Sequence, residues 1–200
     1  RGLGDVYKGQ VAETLVEHIQ NQDVMQGKFI LESLARLSEA ERSEFENYLH
    51  FCTGCGETAK SLSDAYLGMV DDIMGEQLYF MQNGRYRYSK LSEVESHVYA
   101  APEYMSRYIR GIAISLYLWP QHQEIRRFFQ KVLPGKMSGD YLEVGPGHGM
   151  FFLHALRHGD FNRYIGLDIS PTSIATTRAL LDSGAFGSFD NYELIQADFL

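Results

Sequence analysis

The run Tyr141-Leu142-Glu143-Val144-Gly145-Pro146-Gly147-His148-Gly149-Met150-Phe151 starts as a short apolar segment with an acidic residue near its end. It passes through three glycines at alternate positions and enters an amphipathic segment, Phe151 to Arg157. This pattern predicts a buried parallel strand, a tight turn and the first turn of a helix. Glycine suits the turn because the backbone must bend sharply and let a ligand approach where a Cβ would intrude. N–H groups left open at the helix start favour a polar or anionic ligand group.

Spacing separates two ligand classes that use such a turn. A dinucleotide fingerprint, G-x-G-x-x-G, puts its third glycine where Met150 stands. The chain has G-x-G-x-G, with Glu143 two residues before the first glycine. Further on, Tyr164-Ile165-Gly166-Leu167-Asp168 predicts a second strand ending in an acid, about 20 residues past the loop, where a ribose-binding carboxylate belongs. One carboxylate can accept from both ribose hydroxyls. Ser170 and Pro171 fit the N-cap and first residue of a helix reaching to about Asp182. Tyr192-Glu193-Leu194-Ile195-Gln196 predicts a third strand, closed by Ala197-Asp198-Phe199.

Together these features resemble the class I S-adenosylmethionine-dependent methyltransferases, whose motif I has this glycine pattern. The resemblance covers residues 137–200 and implies an α/β fold, a Rossmann-like parallel sheet of which the chain holds the first half. It implies S-adenosylmethionine as cofactor, with Glu143 near the methionine moiety and Gly145, Pro146, Gly147 and Gly149 making room for it. Asp168 and Ile169 would lie at the ribose. Asp198 would accept from the exocyclic amine of adenine, with Phe199 beside the ring. In the family the sheet continues from the first strand, and the loop of a fourth strand contributes to the substrate site. With the third strand so close to Leu200, the chain is expected to be a catalytically incomplete fragment of a longer protein. Otherwise its open sheet edge is covered by another chain or by its own N-terminal part. Three rivals stay open: an α/β core whose strand ends happen to be acidic, a nucleotide-binding oxidoreductase, and a non-catalytic module that keeps the fold for partner binding.

Upstream the pattern is helical. Val11, Leu15 and Ile19 fall at helical spacing; Val24 to Leu37 places Phe29, Ile30, Leu34 and Leu37 on one side. Ser38 and Glu41 have capping-box spacing before Phe45, Tyr48 and Leu49. Leu62 to Met74 repeats the helical stripe. Leu78-Tyr79-Phe80-Met81-Gln82 and Arg85-Tyr86-Arg87-Tyr88, joined by Asn83-Gly84, predict a β-hairpin with a type I′ turn. Ser92 and Glu95 repeat the capping-box spacing before Val98 and Tyr99. A helix from Glu103 to Trp119 is interrupted by Pro120 and resumes to Val132 with Ile125, Phe128, Phe129 and Val132 as its apolar side. Pro134-Gly135 marks the join. Residues 1–136 are thus read as a mainly helical module with one hairpin, serving as a lid or for dimerisation, and residues 137–200 as the start of the cofactor-binding domain.

Composition narrows the partners. With 200 residues, 44% hydrophobic and 13% aromatic, the chain can form a real core. A net charge of −8 argues against a nucleic acid partner, and Arg85-Tyr86-Arg87 is too small a basic cluster to reverse that. No signal-peptide pattern opens the chain, and its longest apolar run, Gly111 to Trp119, is about half of the ~18 residues a membrane span needs. The expectation is a cytoplasmic protein, possible as a homodimer, acting on a small molecule and binding neither membrane nor nucleic acid. Cys52 and Cys55 form one C-x-x-C without the second pair that zinc would want, so reduced thiols at a turn are expected rather than a metal or redox pair.

Methyl transfer from a sulfonium is an in-line displacement in which the protein mostly aligns the reactants. An oxygen or nitrogen nucleophile also calls for a general base, for which His148, His122 and His97 are candidates. Tyr99, Tyr104, Tyr108 and Tyr117 are candidates to roof the sulfonium, since aromatic faces attract cations.

Overall fold

The computed structural model describes residues 10–94, 99, 101–133 and 138–199. Glu95, His97, Val98 and the Pro134–Gly135 join lie outside the described residues. The chain opens with α1 (Gln10–Gln22), α2 (Val24–Leu34), α3 (Glu39–Gly54) and α4 (Ala59–Asn83). Asp23 caps α2 by accepting from the N–H groups of Met25 and Gln26, both at 2.9 Å. The expected box forms at α3: Ser38 Oγ accepts from Glu41 N–H, and the Glu41 carboxylate accepts from Ser38 N–H at 2.7 Å.

The predicted hairpin does not exist. α4 runs straight through Leu78–Gln82, and Gly84 ends it in the left-handed conformation, φ 66° and ψ 12°, donating its N–H to Phe80 O at 2.8 Å. A type I′ turn and a helix C-cap both want positive φ at a glycine following asparagine, so the dipeptide alone does not separate them. The second aromatic run returns along the helix by side-chain contacts: Tyr86 meets Phe80 at 4.9 Å between centroids, and Arg87 pairs with Glu76 at 2.9 Å. No strand occurs among the described residues before position 138.

After the short α5 (Leu91–Val94) come α6 (Pro102–Leu118) and α7 (Pro120–Val132). Trp119 separates them with φ −108° and ψ 125°, because a residue that precedes proline is pushed out of the helical region. α6 crosses α4 closely at Gly111, where an added Cβ would lie 2.6 Å from Ala65 O and from Met69 Cβ. The helices enclose Leu15, Ile19, Ile30, Leu34, Phe45, Met69 and Ile114, and Phe45 stacks on Tyr117 at 4.7 Å.

α7 reverses its expected orientation. Ile125, Phe128 and Val132 are 55%, 67% and 52% exposed, while Gln123 and Arg126 are buried. Of the predicted apolar side, Phe129 turns inward, against Phe151 at 4.9 Å. The physical reason is what the two polar residues find inside. Gln123 Nε2 donates to Tyr117 O at 2.6 Å and Ser33 Oγ at 2.9 Å. The two Nη atoms of Arg126 reach Glu44 at 2.6 Å and Glu41 at 2.8 Å, and its guanidinium lies 4.5 Å over the Tyr117 ring.

The remaining elements are β1 (Asp140–Val144), α8 (Met150–His158), β2 (Arg163–Asp168), α9 (Pro171–Asp182) and β3 (Tyr192–Gln196). They form an all-parallel open sheet in the order β1-β2-β3, with Glu143 opposite Gly166 and Asp168 opposite Gln196. Pro171 follows the expected N-cap, Ser170, whose Oγ accepts from Ser173 N–H. One sheet face packs under α8 and α9: a Cβ on Gly166 would meet Leu194 at 2.6 Å and Phe152 at 3.3 Å. The other face carries Leu142 and Val144, 60% and 45% exposed, in register with Ile165 and Leu167. A single apolar cluster runs from α1 through α6 and α8 to β3. Among the described residues no helix is long and apolar enough to cross a membrane.

Candidate functional site

The turn between β1 and α8 has the geometry its glycines imply. Gly145, Gly147 and Gly149 have φ of 75°, 53° and 76°, a region that side-chain-bearing residues enter only with strain. Their surroundings differ. A Cβ on Gly149 would press on Thr177 at 3.0 Å, so that glycine lets α8 and α9 approach. A Cβ on Gly145 would meet nothing within 4 Å, so its surface is open at the strand end. Pro146 is buried, with its ring over Gly166.

The amides of this turn are mostly spent inside the chain, contrary to the expectation of an open set. Gly145 N–H donates to Leu167 O at 2.7 Å, extending the ladder with β2, and Gly149 N–H donates to Pro146 O at 2.8 Å. Gly147 N–H reaches Asp168 Oδ2 at 3.3 Å, and Met150 N–H reaches His148 Nδ1 at 3.1 Å. A turn so satisfied is a poor cradle for a pyrophosphate, which is bound through unpaired N–H groups.

Asp168 is buried at the end of β2 and joins three segments. Besides Gly147, it accepts from Ser170 N–H through Oδ1 at 2.9 Å, and its backbone carbonyl accepts from Ala197 N–H at 3.0 Å. Two of about four lone-pair positions on its carboxylate remain for a ligand. Ile169 follows, and its carbonyl accepts from Gln196 Nε2 at 3.5 Å. Asp198 and Phe199 leave β3 on the same edge, and both are exposed.

Glu143 is half-buried and accepts from Tyr141 O–H at 2.5 Å. Burial pushes its carboxyl up to about 7, against the lowering effect of that hydrogen bond. The group is therefore balanced between its neutral and charged forms near neutral pH. A cationic ligand beside it would tip the balance to the carboxylate.

Two of the candidate histidines come together here. His148 is buried in the turn, and burial, with a smaller contribution from His122, holds its imidazole down at about 4. Since His148 Nδ1 accepts from Met150, the neutral ring carries its proton on Nε2. His122 follows the α6–α7 break, its ring 4.9 Å from Trp119 and its Nδ1 2.8 Å from Ser115 Oγ. Ser115 Oγ donates its proton to Ile112 O at 2.6 Å, which leaves the hydroxyl to accept from His122 Nδ1–H. Neutral His122 thus holds a lone pair on Nε2, and burial lowers its pKa. The Ser115–His122 pairing spans a helix break and has no signal in the sequence beyond the Pro120 interruption.

The tyrosines divide. Tyr117 packs in the helical core, while Tyr104 and Tyr108 stack at 6.1 Å on α6. Cys52 and Cys55 are free thiols; burial pushes Cys52 up to about 12, which makes it a poor nucleophile. No group of three or more His, Cys, Asp or Glu side chains suited to a metal ion occurs among the described residues. Comparison of the chain with protein-family models, curated proteins and solved structures returns no match.

Proposed function

We propose that this chain binds S-adenosylmethionine at the carboxyl ends of β1, β2 and β3 and serves methyl transfer to a small-molecule acceptor in the cytoplasm. The observation that carries the proposal is the glycine turn: three positive-φ glycines tied to the end of β2 by Asp168, with Gly145 open and the amides already spent. That favours a ligand without a pyrophosphate and weighs against the dinucleotide alternative.

The residues present suit the cofactor. Glu143 would take the cationic methionine end, and the open lone pairs of Asp168 would accept from the ribose hydroxyls. Asp198 and Phe199 would flank the adenine. When bound, the cofactor supplies the activated methyl group. The chain's own part is to orient and to manage a proton. His122 Nε2, neutral and oriented by Ser115, would receive the proton from an acceptor hydroxyl or amine. The net charge of −8 disfavours nucleic acid as that acceptor.

Calorimetric titration with S-adenosylmethionine and with NAD tests the reading on the wild-type chain and on Asp168→Asn. The expected result is binding of the first ligand only, weakened at least tenfold by the substitution with the fold intact by circular dichroism. NAD binding, or equal affinity in the variant, would overturn it.

A further inference from the structure

On the far side of α8 a cleft of about 890 Å³ opens between the start of α3, the second half of α7 and the last turn of α8. Its carboxylates are already engaged. Glu41 receives Arg127 at 2.7 Å and Arg126 at 2.8 Å, and Glu44 receives Arg126 at 2.6 Å. Its remaining bases are not: among the described residues, Arg36, Arg157 and His158 have no carboxylate within ion-pair distance. Three guanidinium groups (Arg36, Arg127 and Arg157) line the cleft beside two carboxylates. Arg127, and Arg126 from outside the lining, are taken up by those carboxylates, so Arg36 and Arg157 form a local surplus of positive charge in a chain of net charge −8. Glu124 is the further acid near Arg127.

The field is felt inside the cleft. His154 and His158 lie with ring centroids 4.4 Å apart. His154 is held down at about 4 by burial, and then by His158, Arg157 and Arg126. An anion would relieve this repulsion and accept hydrogen bonds from guanidinium and imidazole together.

We infer that this cleft is a second ligand site, one that takes a phosphate-bearing small molecule with Arg157 and Arg36 as its charged contacts. A single carboxylate would leave part of the surplus uncompensated, and the volume exceeds that of a bare phosphate, which points to a phosphate ester of metabolite size. The site is separate from the strand-end site, and its reading does not depend on the proposed function.

Inorganic pyrophosphate is the probe, titrated into the wild-type chain by calorimetry at low and high salt. The expected result is binding that weakens with salt and falls at least tenfold in Arg157→Gln. Arg87→Gln, a base paired with Glu76 elsewhere, should bind as wild type does. No binding by the wild-type chain, equal affinity in Arg157→Gln, or an equal loss in Arg87→Gln would each overturn the inference. So would co-sedimentation with phosphoinositide vesicles in a chain that ignores soluble pyrophosphate, since that would make the source a lipid headgroup.

Discussion

Two carboxylates, one in the helical region and one in the sheet, are displaced in opposite directions. Burial raises both. At Glu41 hydrogen bonds from Arg127 and Ser38, with the charge of Arg126, overcome it and hold the carboxyl at about 2. At Glu143 one tyrosine hydroxyl lowers the carboxyl, yet it stays near 7. Ionised Glu41 therefore stabilises the fold, a contribution present above its ordinary 4.5 and lost as pH falls toward 2. Glu143 works the other way: its contribution is present below 4.5 and lost as pH rises through 7. Buried charge at Glu41 is matched from within the chain and fixes packing, whereas at Glu143 it is left for something else to match.

The sharpest way to break this contrast is Arg126→Met. It keeps the stem but leaves Glu44 without its guanidinium partner, and should cost about 3 kcal/mol of unfolding free energy by chemical denaturation. A loss below about 1 kcal/mol would mean that the helical network is not what holds α7 in its inverted orientation.

Glu143→Gln should act with opposite sign and smaller size. It keeps an acceptor for Tyr141 and removes the charge. The shift alone corresponds to about 3 kcal/mol at pH 8, and with the half-buried carboxyl partly screened by water the ligand-free variant should be more stable than wild type by about 2 kcal/mol. The advantage should vanish near pH 4.5, the ordinary value for this carboxyl. Denaturation curves across that range, superimposable for the two proteins, would show that the carboxyl is not displaced. The variant should also bind a cationic cofactor less tightly.

Much of this layout is legible in sequence where the determinant is local. Glycine at alternate positions, Ser38 with Glu41, Ser170 before Pro171, and Pro120 each act within a few residues of backbone, and each does so here. Asn83-Gly84 is also local but serves two geometries, and the choice lay in the length of the preceding helix. The orientation of α7 was illegible for a different reason. Periodicity locates an apolar stripe without saying that Glu41 and Glu44, some eighty residues upstream, would draw Arg126 inward instead. The pairing of Ser115 with His122 depends likewise on the angle of a break whose position, but not direction, can be read.

The smallest effect belongs to the stripe left outside. Phe128→Ser should change stability by no more than about 0.5 kcal/mol, since the ring is already in water. A loss above about 2 kcal/mol in a thermal or chemical melt would indicate that this face is covered in solution, which would sharpen the view of α7 from inverted helix to interface.

Trp119 is the single tryptophan of the chain, held at the α6–α7 break by its indole N–H to Tyr66 O–H at 2.9 Å and packed against His122. The protein thus carries its one indole fluorophore, which can be excited apart from the tyrosines, beside the imidazole proposed to accept the substrate's proton. Because a protonated imidazole quenches indole emission, the intensity should follow the charge on His122 and fall as pH drops through a midpoint below 6.5. Ligands seated at the glycine turn would register in the same signal without any label.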